Sequence, residues 1–252
     1  MSKVTVSIVM PMHNSSHYVG ESVESVLAQT YKDWELLVVD DASTDDSVAL
    51  VEHYAAIDPR VRLLRNDHPS GNPASPRNVG VREARGRFIA FLDSDDIWLP
   101  HKLESQLPFF DRDDTVIVYS DYEKMTDSGR RSNRIVHAPA RVDYAQLLKG
   151  NVIGNLTGIY DTQKVGKFYF QVIHHEDYPM WLDILKTSGL FARNAGCVTA
   201  VYRVREQSVS ARKLDILHWQ WDIYRQIEHL GVLRSAYLYV NYAIRAFYKS
   251  LI

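Results

Sequence analysis

Two clusters of aspartates each close an apolar run of the sequence. Asp40 and Asp41 end the run WELLVVDD, and Asp93 and Asp95 follow the run RFIAFL. Carboxylates this close repel one another and are costly to bury, so a positive partner is expected beside them. Carboxylate oxygens suit Mg²⁺ or Mn²⁺, and they also accept hydrogen bonds from hydroxyl and imide groups. The clusters therefore predict a divalent cation or a ligand that carries such groups.

The surrounding elements place both clusters on one edge of a sheet. Apolar runs alternate with helical patterns, which is typical of βαβ units and a mostly parallel, doubly wound α/β sheet. Ligands bind outside the carboxyl ends of the strands in such sheets. A single acid at a strand end is commonly a turn or cap residue, but two clusters on one edge favour a binding site. The predicted strands are TVSIVMP, WELLVVD, VRLLR, RFIAFL and VIVYSD.

The later part of the chain has a looser pattern. DYAQLLKG predicts a short helix capped by Asp143, and EDYPMWLDILKTSG predicts a longer one. NLTGIYD and CVTAVYRV predict strands. Ser75 and Pro76 form a favourable N-cap and N1 pair for the helix that precedes RFIAFL.

Composition narrows the class of protein. The chain has 252 residues with 46% hydrophobic content, which is ample for a packed core, and its net charge of −2 gives no general attraction to nucleic acid. A single cysteine, Cys197, suits a reducing compartment. No apolar run approaches the roughly 18 residues of a membrane span. We therefore expect a cytoplasmic protein, either free or at the inner face of the cell membrane.

The phosphate-binding loops of other α/β proteins are missing from the sequence. No GxGxxG follows the first strand, and no GxxxxGK[ST] occurs anywhere. A nucleotide bound at the aspartate edge would therefore need a metal to neutralise its diphosphate. This argues against a dehydrogenase and against a P-loop kinase.

Five stretches carry a family resemblance, from about residue 4 to 181. They are VSIVMPMHN, SVLAQTY, WELLVVDDASTD, SPRNVGVREARGRFIAFLDSDD and HEDYPMW. Together they resemble the family-two glycosyltransferases with the GT-A fold, a Rossmann-like sheet flanked by helices. DYAQLLKGN and YRVREQSVSARK are similar to bacterial enzymes that build surface polysaccharides of the teichuronic-acid, O-antigen or capsule type.

The resemblance implies residues for the nucleoside. Asp41 matches the acid that reads the uracil imide, whose N3–H donates to a carboxylate, and Asp40 supports the loop. His13, after Pro11 in the first-strand motif, stands where the family usually has an aromatic residue that stacks on the base. Asn14 belongs to the same motif.

The resemblance also implies a metal site. Asp93, Ser94 and Asp95 match the DXD motif, with Asp95 as the direct ligand of Mn²⁺ or Mg²⁺ and Asp93 contacting the ribose or, through water, the metal. Asp96 is expected only to cap the next segment. Arg77 matches an arginine near the uracil and phosphates, with a surface arginine as the alternative.

The catalytic base implied by the family is the aspartate of the ED pair. Asp177 occupies this position, and Glu176 beside it is placed to orient the acceptor. Without the motif, both would be read as the acidic first turn of a helix. Trp181 is either a sugar platform or a core residue. The adjacent histidines of HHED, His174 and His175, are metal ligands by type, but their adjacency argues against that role.

The segment YRVREQSVSARK is basic. Arg203, Arg205, Arg212 and Lys213 either close over a donor or acceptor diphosphate or form an ordinary solvated charge run. The chain after residue 217 is rich in Trp and Tyr, and it has no acid after Glu228. It predicts either amphipathic helices at a membrane interface or a helical pair packed on the core or on a second subunit, as in a homodimer.

We therefore expect an inverting, metal-dependent glycosyltransferase that uses a UDP-sugar and acts on a glycan or polyprenyl-diphosphate-linked acceptor. The expected organisation is a nucleotide-sugar half (1–121), an acceptor half of the same domain (122–213) and a helical tail (214–252). One alternative is a sugar nucleotidyltransferase, but MPMHNSSHY lacks its glycine-rich loop with a basic residue. The other is a non-catalytic nucleotide-sugar or glycan-binding module.

Overall fold

Parallel strands form the half of the sheet that carries both aspartate clusters. The computed structural model describes residues 4–205 and 213–251. Strands β3, β2, β1 and β4 lie side by side and all run parallel, with Met12 opposite Asp40 at the end of the β1–β2 pair. The residues of β1, β2 and β4 are buried along their whole length, as expected for strands covered on both faces, whereas β3 at the edge of the sheet is mostly half-buried. These strands are β1 (Val6–Met12), β2 (Trp34–Asp40), β3 (Val61–Arg65) and β4 (Phe88–Phe91).

The other half of the sheet is mixed. Strand β9 lies antiparallel between β4 and β6, β6 and β10 run parallel, and β5 pairs antiparallel with β10. The predicted strand at 116–121 continues to Thr126 and forms a hairpin with β7. Residues 155–157 of NLTGIYD form a 3-10 turn rather than a strand. These strands are β5 (Ile97–Trp98), β6 (Thr115–Thr126), β7 (Arg131–Val136), β8 (Arg141–Val142), β9 (Ile159–Asp161) and β10 (Phe191–Val204).

Helices cover both faces of the sheet. Helix α5 begins with the predicted Asp143 cap, which is confirmed as a capping box with Gln146. Helix α3 begins at Ala74, so the prediction of Ser75 as its N-cap is wrong; the Asn72 carboxamide accepts from the Ser75 N–H instead. The helices are α1 (Val19–Leu27), α2 (Ser47–Ile57), α3 (Ala74–Glu83), α4 (Lys102–Gln106), α5 (Tyr144–Leu147), α6 (Thr162–Val165), α7 (Asp177–Ser188), α8 (Lys213–Asp222) and α9 (Val232–Leu251).

Trp181 belongs to the hydrophobic core. It is fully buried, and its ring packs edge-on against Phe91 and Tyr160 at centroid distances of 6.0 and 6.4 Å. The structure therefore supports the interpretation of Trp181 as a core residue and not as a platform for a sugar. Because α7 carries Trp181 one turn after Asp177, this packing fixes the start of the helix against the sheet.

Two helices, joined by a π-helical turn at Ile223–Ile227, form the tail. They pack on the core side that also holds α7, where Ile223, Tyr224 and Leu238 are buried. Trp221 of α8 contacts Tyr239 of α9 edge-on at 5.6 Å. Within residues 4–205 and 213–251, no helix is both long enough and apolar enough to cross a membrane.

A glycine sets the distance between α3 and the sheet. A Cβ built on Gly80 would overlap with Val9 Cγ1 of β1 and would lie 3.3 Å from Val39 Cγ2 of β2. This close approach holds α3, and Arg77 one turn earlier, over the carboxyl end of β1. A larger residue would force the helix outward.

We expect Gly80→Ala to lower the free energy of unfolding by about 1–3 kcal/mol, because overpacked cores must shift their backbone. Gly20→Ala is the matched control, since Gly20 also lies in a helix but its Cβ would meet only Tyr54 Oη at 3.6 Å. That control should be neutral or slightly stabilising, because alanine favours helix. Urea denaturation of both variants measures the difference, and equal stabilities would contradict the packing argument.

Candidate functional site

A cavity of about 1020 Å³ opens where β1, β2 and β4 end. That volume is at the upper end for ligand sites, so it has room for a substrate larger than a nucleotide. Asn14, Asp40 and Arg203 do not line it. The predicted site residues that line it are Pro11, His13, Asp41, Arg77, Asp93, Ser94, Asp95, Glu176, Asp177 and Arg205.

Asp41 and His13 form one end of the cavity. The buried Asp41 carboxylate accepts hydrogen bonds from Asn66 Nδ2 at 2.8 Å and from the Ser70 hydroxyl at 2.8 Å and N–H at 3.0 Å. It thereby shapes the 66–72 loop around the cavity. His13 Nδ1 donates to the Asp41 carbonyl oxygen at 2.8 Å, because a carbonyl only accepts. This bond fixes the tautomer and the orientation of the imidazole ring.

Asp40 and Asn14 form hydrogen bonds that order the loop after β2, and Asn14 ties it to the loop after β1. The Asp40 carboxylate accepts from the Ser43 N–H at 3.2 Å. The Asn14 carboxamide oxygen accepts from the Thr44 N–H at 2.8 Å, and the backbone N–H of Asn14 donates to the Ser43 hydroxyl at 2.9 Å. Asn14 has a φ of +47°, a left-handed conformation that asparagine tolerates well. Both residues therefore shape the site without lining it.

The DSDD segment forms the floor of the cavity. Ser94 Oγ lies 2.8 Å from Ser15 Oγ, which ties the segment to the loop after β1. Arg205 Nη1 donates to Asp95 Oδ2 at 3.2 Å. Burial and the negative charge of Asp93 raise the pKa of Asp95, although Arg205 opposes them. Among the described residues, Arg205 thus offsets the negative charge around Asp95 only in part.

Arg203 braces the DSDD segment instead of facing a ligand. Its side chain is buried and donates to the carbonyl oxygens of Asp95 and Asp127 and to Glu21 Oε2, at 2.8, 2.8 and 2.6 Å. Its backbone N–H donates to Asp96 Oδ1 at 2.8 Å. The prediction that Arg203 grips a diphosphate is therefore replaced by a structural role. Arg212 and the Lys213 side chain lie outside the described residues.

A buried arginine joins the two halves of the site. Arg77 Nη2 donates to Asp93 Oδ1 at 2.5 Å, and its Nη1 donates to Glu176 Oε1. Burial opposes the charge, but Asp93 and Glu176 outweigh it and raise the pKa of Arg77. The arginine is therefore not a surface residue, and both of its terminal nitrogens bond carboxylates. It holds the loop of Glu176 against the DSDD segment.

Asn78 fixes the same loop one residue further along α3. Its carboxamide exchanges two hydrogen bonds with the Phe170 backbone, donating to the carbonyl oxygen at 2.8 Å and accepting from the N–H at 2.7 Å. Arg77 and Asn78 of the motif SPRN thus both anchor the segment that leads to Asp177.

Asp177 is the first residue of α7 and lies in the cavity wall. Asn151 Nδ2 donates to its Oδ2 at 3.0 Å. Burial and the neighbouring Glu176 raise the pKa of Asp177 to about 7, although Arg77 and Asn151 oppose them. A carboxyl with this pKa is well matched to proton transfer near neutral pH.

An indole from the tail covers the loop before Asp177. The ring of Trp219 stacks on His174 at 4.2 Å and 17° and meets His175 edge-on at 5.1 Å. His175 has a φ of +56°, and burial lowers its pKa. In the part of the chain that the structure describes, no three His, Cys, Asp or Glu side chains are grouped to hold a metal.

Comparison with known proteins identifies the family. The model of Glycosyl transferase family 2 matches residues 7–172. The chain belongs to glycosyl transferase family 2. The expectation of a glycosyltransferase with the GT-A fold is thereby confirmed.

Relatives of this transferase act in bacterial polysaccharide synthesis. It is 38% identical over 244 residues to the Escherichia coli UDP-Glc:α-D-GlcNAc-diphosphoundecaprenol β-1,3-glucosyltransferase WfgD, covering 97% of this chain and 94% of WfgD. It is 34% identical to the putative teichuronic acid biosynthesis glycosyltransferase TuaG of Bacillus subtilis, covering 99% and 98% of the two chains. The structure of S. aureus TarS 1–349 with UDP-GlcNAc shares the fold, with a TM-score of 0.74 and 20% identity over 96% of this chain and 72% of that one.

The transferase site contains three further residues that the sequence did not predict. Asn151 contacts Asp177, while Tyr122 and Asn155 line the cavity. Both polar atoms of the Asn155 carboxamide are buried, and no hydrogen-bond partner for them occurs within the described residues. All three lie in the weakly patterned second half; Asn151 ends DYAQLLKGN and Asn155 begins NLTGIYD, but neither stretch indicates a site role for its asparagine.

We expect Arg77→Met to lower the free energy of unfolding by about 3–5 kcal/mol, because it leaves Asp93 and Glu176 without their buried partner. Arg65→Met is the matched control. Its ion pair with Glu52 has the same 2.5 Å length but lies on the surface, so about 1 kcal/mol or less should be lost. Denaturant unfolding of both variants is the measurement; equal losses would contradict the bridging role of Arg77.

The acid limb of the pH profile of transfer should have its midpoint near pH 7, where Asp177 loses its proton. Asn151→Ala should move this limb to higher pH, since it removes a donor that favours the carboxylate. Asn151→Asp should move it further, because it adds a like charge. The measurement is kcat/KM against pH. An acid limb that stays unchanged in both variants would contradict an effect of Asn151 on the pKa of Asp177.

Proposed function

We propose that the protein is an inverting, metal-dependent glycosyltransferase that transfers a hexose from a UDP-sugar to a polyprenyl-diphosphate-linked glycan. The observation that carries the proposal is the placement of Asp177. A carboxyl with a pKa near neutrality shares one cavity with the DSDD floor, and Arg77 holds the two against each other. A base on one side and an acidic floor on the other suit a displacement at a sugar carbon between them.

The donor is assigned from the nucleoside end of the cavity and from relatives. The His13 ring has a fixed orientation suited to stacking, and the Asp41 carboxylate suits the uracil imide. WfgD is named as a UDP-Glc enzyme, and it covers almost the whole of this chain. UDP-glucose is therefore the first donor to test.

The chemistry of the DSDD floor fits a divalent cation. Asp93 and Asp95 offer hard carboxylate oxygens, and burial together with the negative charge of Asp93 raises the pKa of Asp95. Each carboxylate bonds an arginine through one oxygen, Arg77 for Asp93 and Arg205 for Asp95. Asp95 and Asp93 would hold Mn²⁺ or Mg²⁺ together with the donor diphosphate. When bound, the cation supplies charge stabilisation for the leaving UDP.

Asp177 takes the proton of the acceptor hydroxyl as that oxygen attacks the anomeric carbon. Asn151 holds one carboxylate oxygen, which fixes the direction of the other. Attack opposite the leaving UDP inverts the anomeric centre in a single displacement. WfgD is named as a β-1,3-glucosyltransferase, and we propose that this chain also forms a β linkage.

The acceptor is a lipid-linked diphosphate sugar, as in the name of WfgD. Such an acceptor places the reaction at the cytoplasmic face of the membrane, with peripheral contact through the tail. Arg205 lines the cavity beside Asp95, where a guanidinium is suited to bind phosphate oxygens.

Release of UDP from a panel of UDP-, GDP- and dTDP-sugars, with Mn²⁺ or EDTA, tests the proposal. We expect slow hydrolysis of one UDP-sugar only with metal, and faster release when a GlcNAc-diphosphate lipid is added. Asp95→Ala should abolish the metal response. Asp177→Asn should still bind the donor but lose about 10²–10⁴-fold in transfer, because an amide accepts no proton.

Either variant could overturn its own assignment. Full activity of Asp95→Ala in EDTA would remove the metal from the proposal, and substantial transfer by Asp177→Asn would remove the base. The anomeric configuration of the product, read by NMR coupling constants, decides between inversion and retention.

A further inference from the structure

Asn155 carries an unpaired carboxamide in the wall of the cavity. The residue lines the cavity, and neither polar atom of its buried carboxamide has a hydrogen-bond partner within the described residues. Buried polar groups without a partner are destabilising and rare in proteins, so each one requires an explanation. A cavity of substrate size offers one, because a ligand can supply the missing partner.

The backbone around Asn155 is held firmly. Asn155 begins a 3-10 turn that ends at Thr157, and buried side chains bond the carbonyl oxygens of this turn. Trp98 Nε1 donates to the Leu156 carbonyl oxygen at 2.8 Å, and Lys102 Nζ donates to the Thr157 carbonyl oxygen at 2.9 Å. The unpaired carboxamide is therefore not the result of a loose turn. Because no hydrogen bond holds the carboxamide itself, it can turn toward the cavity without losing one.

The segment that carries Asn155 runs along the start of α7. At one end, Asn151 Nδ2 donates to Asp177 Oδ2 at 3.0 Å. At the other end, Gly158 packs so tightly that a Cβ on it would lie 2.6 Å from the Trp181 ring. Asn155 lies between these two contacts, which place it on the side of the cavity that carries the base.

Tyr122 adjoins Asn155 and lies between the base and the DSDD floor. A Cβ on Gly154, the residue before Asn155, would lie 3.3 Å from the Tyr122 ring. The Tyr122 side chain is half-buried and lines the cavity. Burial raises the pKa of its phenol to about 12, and the negative charges of Asp96 and Asp177 contribute to this rise. The phenol is thus within electrostatic reach of both acidic regions.

The space between the floor and the base is where a transferred sugar must lie. In the proposed reaction the donor diphosphate binds at the DSDD floor and the acceptor hydroxyl at Asp177, so the anomeric carbon lies between them. A hexose presents hydroxyl groups around its ring. A carboxamide can both donate hydrogen bonds to such groups and accept hydrogen bonds from them, and so can a phenol.

We propose that Asn155 and Tyr122 form the subsite that binds hydroxyl groups of the transferred hexose and selects the sugar of the donor. This inference rests on the proposed function, because it takes the donor to be a UDP-hexose. A donor that lacks the bonded hydroxyl is rejected, since it leaves the buried carboxamide of Asn155 unpaired.

Calorimetric binding of UDP and of UDP-glucose, each with Mn²⁺, tests the assignment. Asn155→Leu keeps a similar side-chain shape but removes both polar atoms. This variant should keep the wild-type affinity for UDP and bind UDP-glucose about three- to tenfold more weakly, as expected for the loss of a hydrogen bond. Tyr122→Phe should show the same pattern, because it removes the hydroxyl and keeps the ring. Wild-type affinity of both variants for UDP-glucose would overturn the proposal.

Thermal unfolding of the same proteins separates a binding role of Asn155 from a structural one. Asn155→Leu should leave the unfolding midpoint unchanged or raise it, since no hydrogen bond is lost. Gln29→Met is the matched control outside the cavity. The buried Gln29 carboxamide donates to the Ser25 and Leu99 carbonyl oxygens and accepts from the Leu103 N–H. Gln29→Met should therefore lower the midpoint and leave both affinities unchanged.

A lower midpoint in Asn155→Leu would overturn the proposal, because it would show that the carboxamide is already bonded in the free protein, by water. Deoxy analogues of UDP-glucose identify the bonded hydroxyl. In the wild type, one analogue should bind more weakly than UDP-glucose, and in Asn155→Leu the same analogue should bind as well as UDP-glucose does. Additive losses would count against a direct contact.

The comparison of UDP with UDP-glucose also distinguishes this proposal from the preceding one. Equal losses of UDP and UDP-glucose affinity in Asn155→Leu would overturn the subsite and leave the proposed function standing. Failure of the wild type to bind any UDP-sugar would refute the proposed function, and the subsite with it.

Discussion

The buried Arg77 guanidinium is the interaction on which the rest of the site depends. It bonds two carboxylates from distant parts of the sequence, Asp93 after β4 and Glu176 before α7, and its single positive charge offsets part of their combined negative charge. Without it, the mostly buried Glu176 would lose its charged partner. Gly80 makes the arrangement sterically feasible, because α3 must lie close to β1 for Arg77 to reach both partners. The two halves of the cavity are thus joined by charge, and the sheet supports both.

This bridge also sets the electrostatics of the base. Asp177 lies beside Glu176, whose charge is bound by Arg77 but still raises the pKa of Asp177, together with burial. Asn151 works in the opposite direction and holds one oxygen. The balance leaves a carboxyl that changes protonation near neutral pH. The DSDD floor, in contrast, keeps negative charge that Arg77 and Arg205, among the described residues, offset only in part, so the two acidic regions have different chemistry.

The tail connects this chemistry to the surface of the molecule. Its inner side packs on α7 and the neighbouring core, and Trp219 covers the loop of His174 and His175. Its outer side exposes apolar side chains of α9, among them Leu233, Tyr237 and Val240. A single pair of helices therefore contacts the loop that carries the base and presents an apolar surface to the exterior. The same packing that orders the loop orders the outward face, which gives a physical reason for their proximity.

The sequence by itself determined the family, the parallel first half of the sheet and the edge where the aspartates meet. These are local: strand ends, helix caps and the motifs from Pro11 to Asp96 depend on neighbouring residues. Only the tertiary structure decided which polar side chains face the cavity. Arg77 and Arg203 were both expected at phosphates, yet burial pairs them with carboxylates and carbonyl oxygens. Trp181 lies in the core, and Asn151 donates a hydrogen bond to Asp177, which is 26 residues away in the sequence. Such partners are set by the packing of distant segments, which residue spacing does not encode.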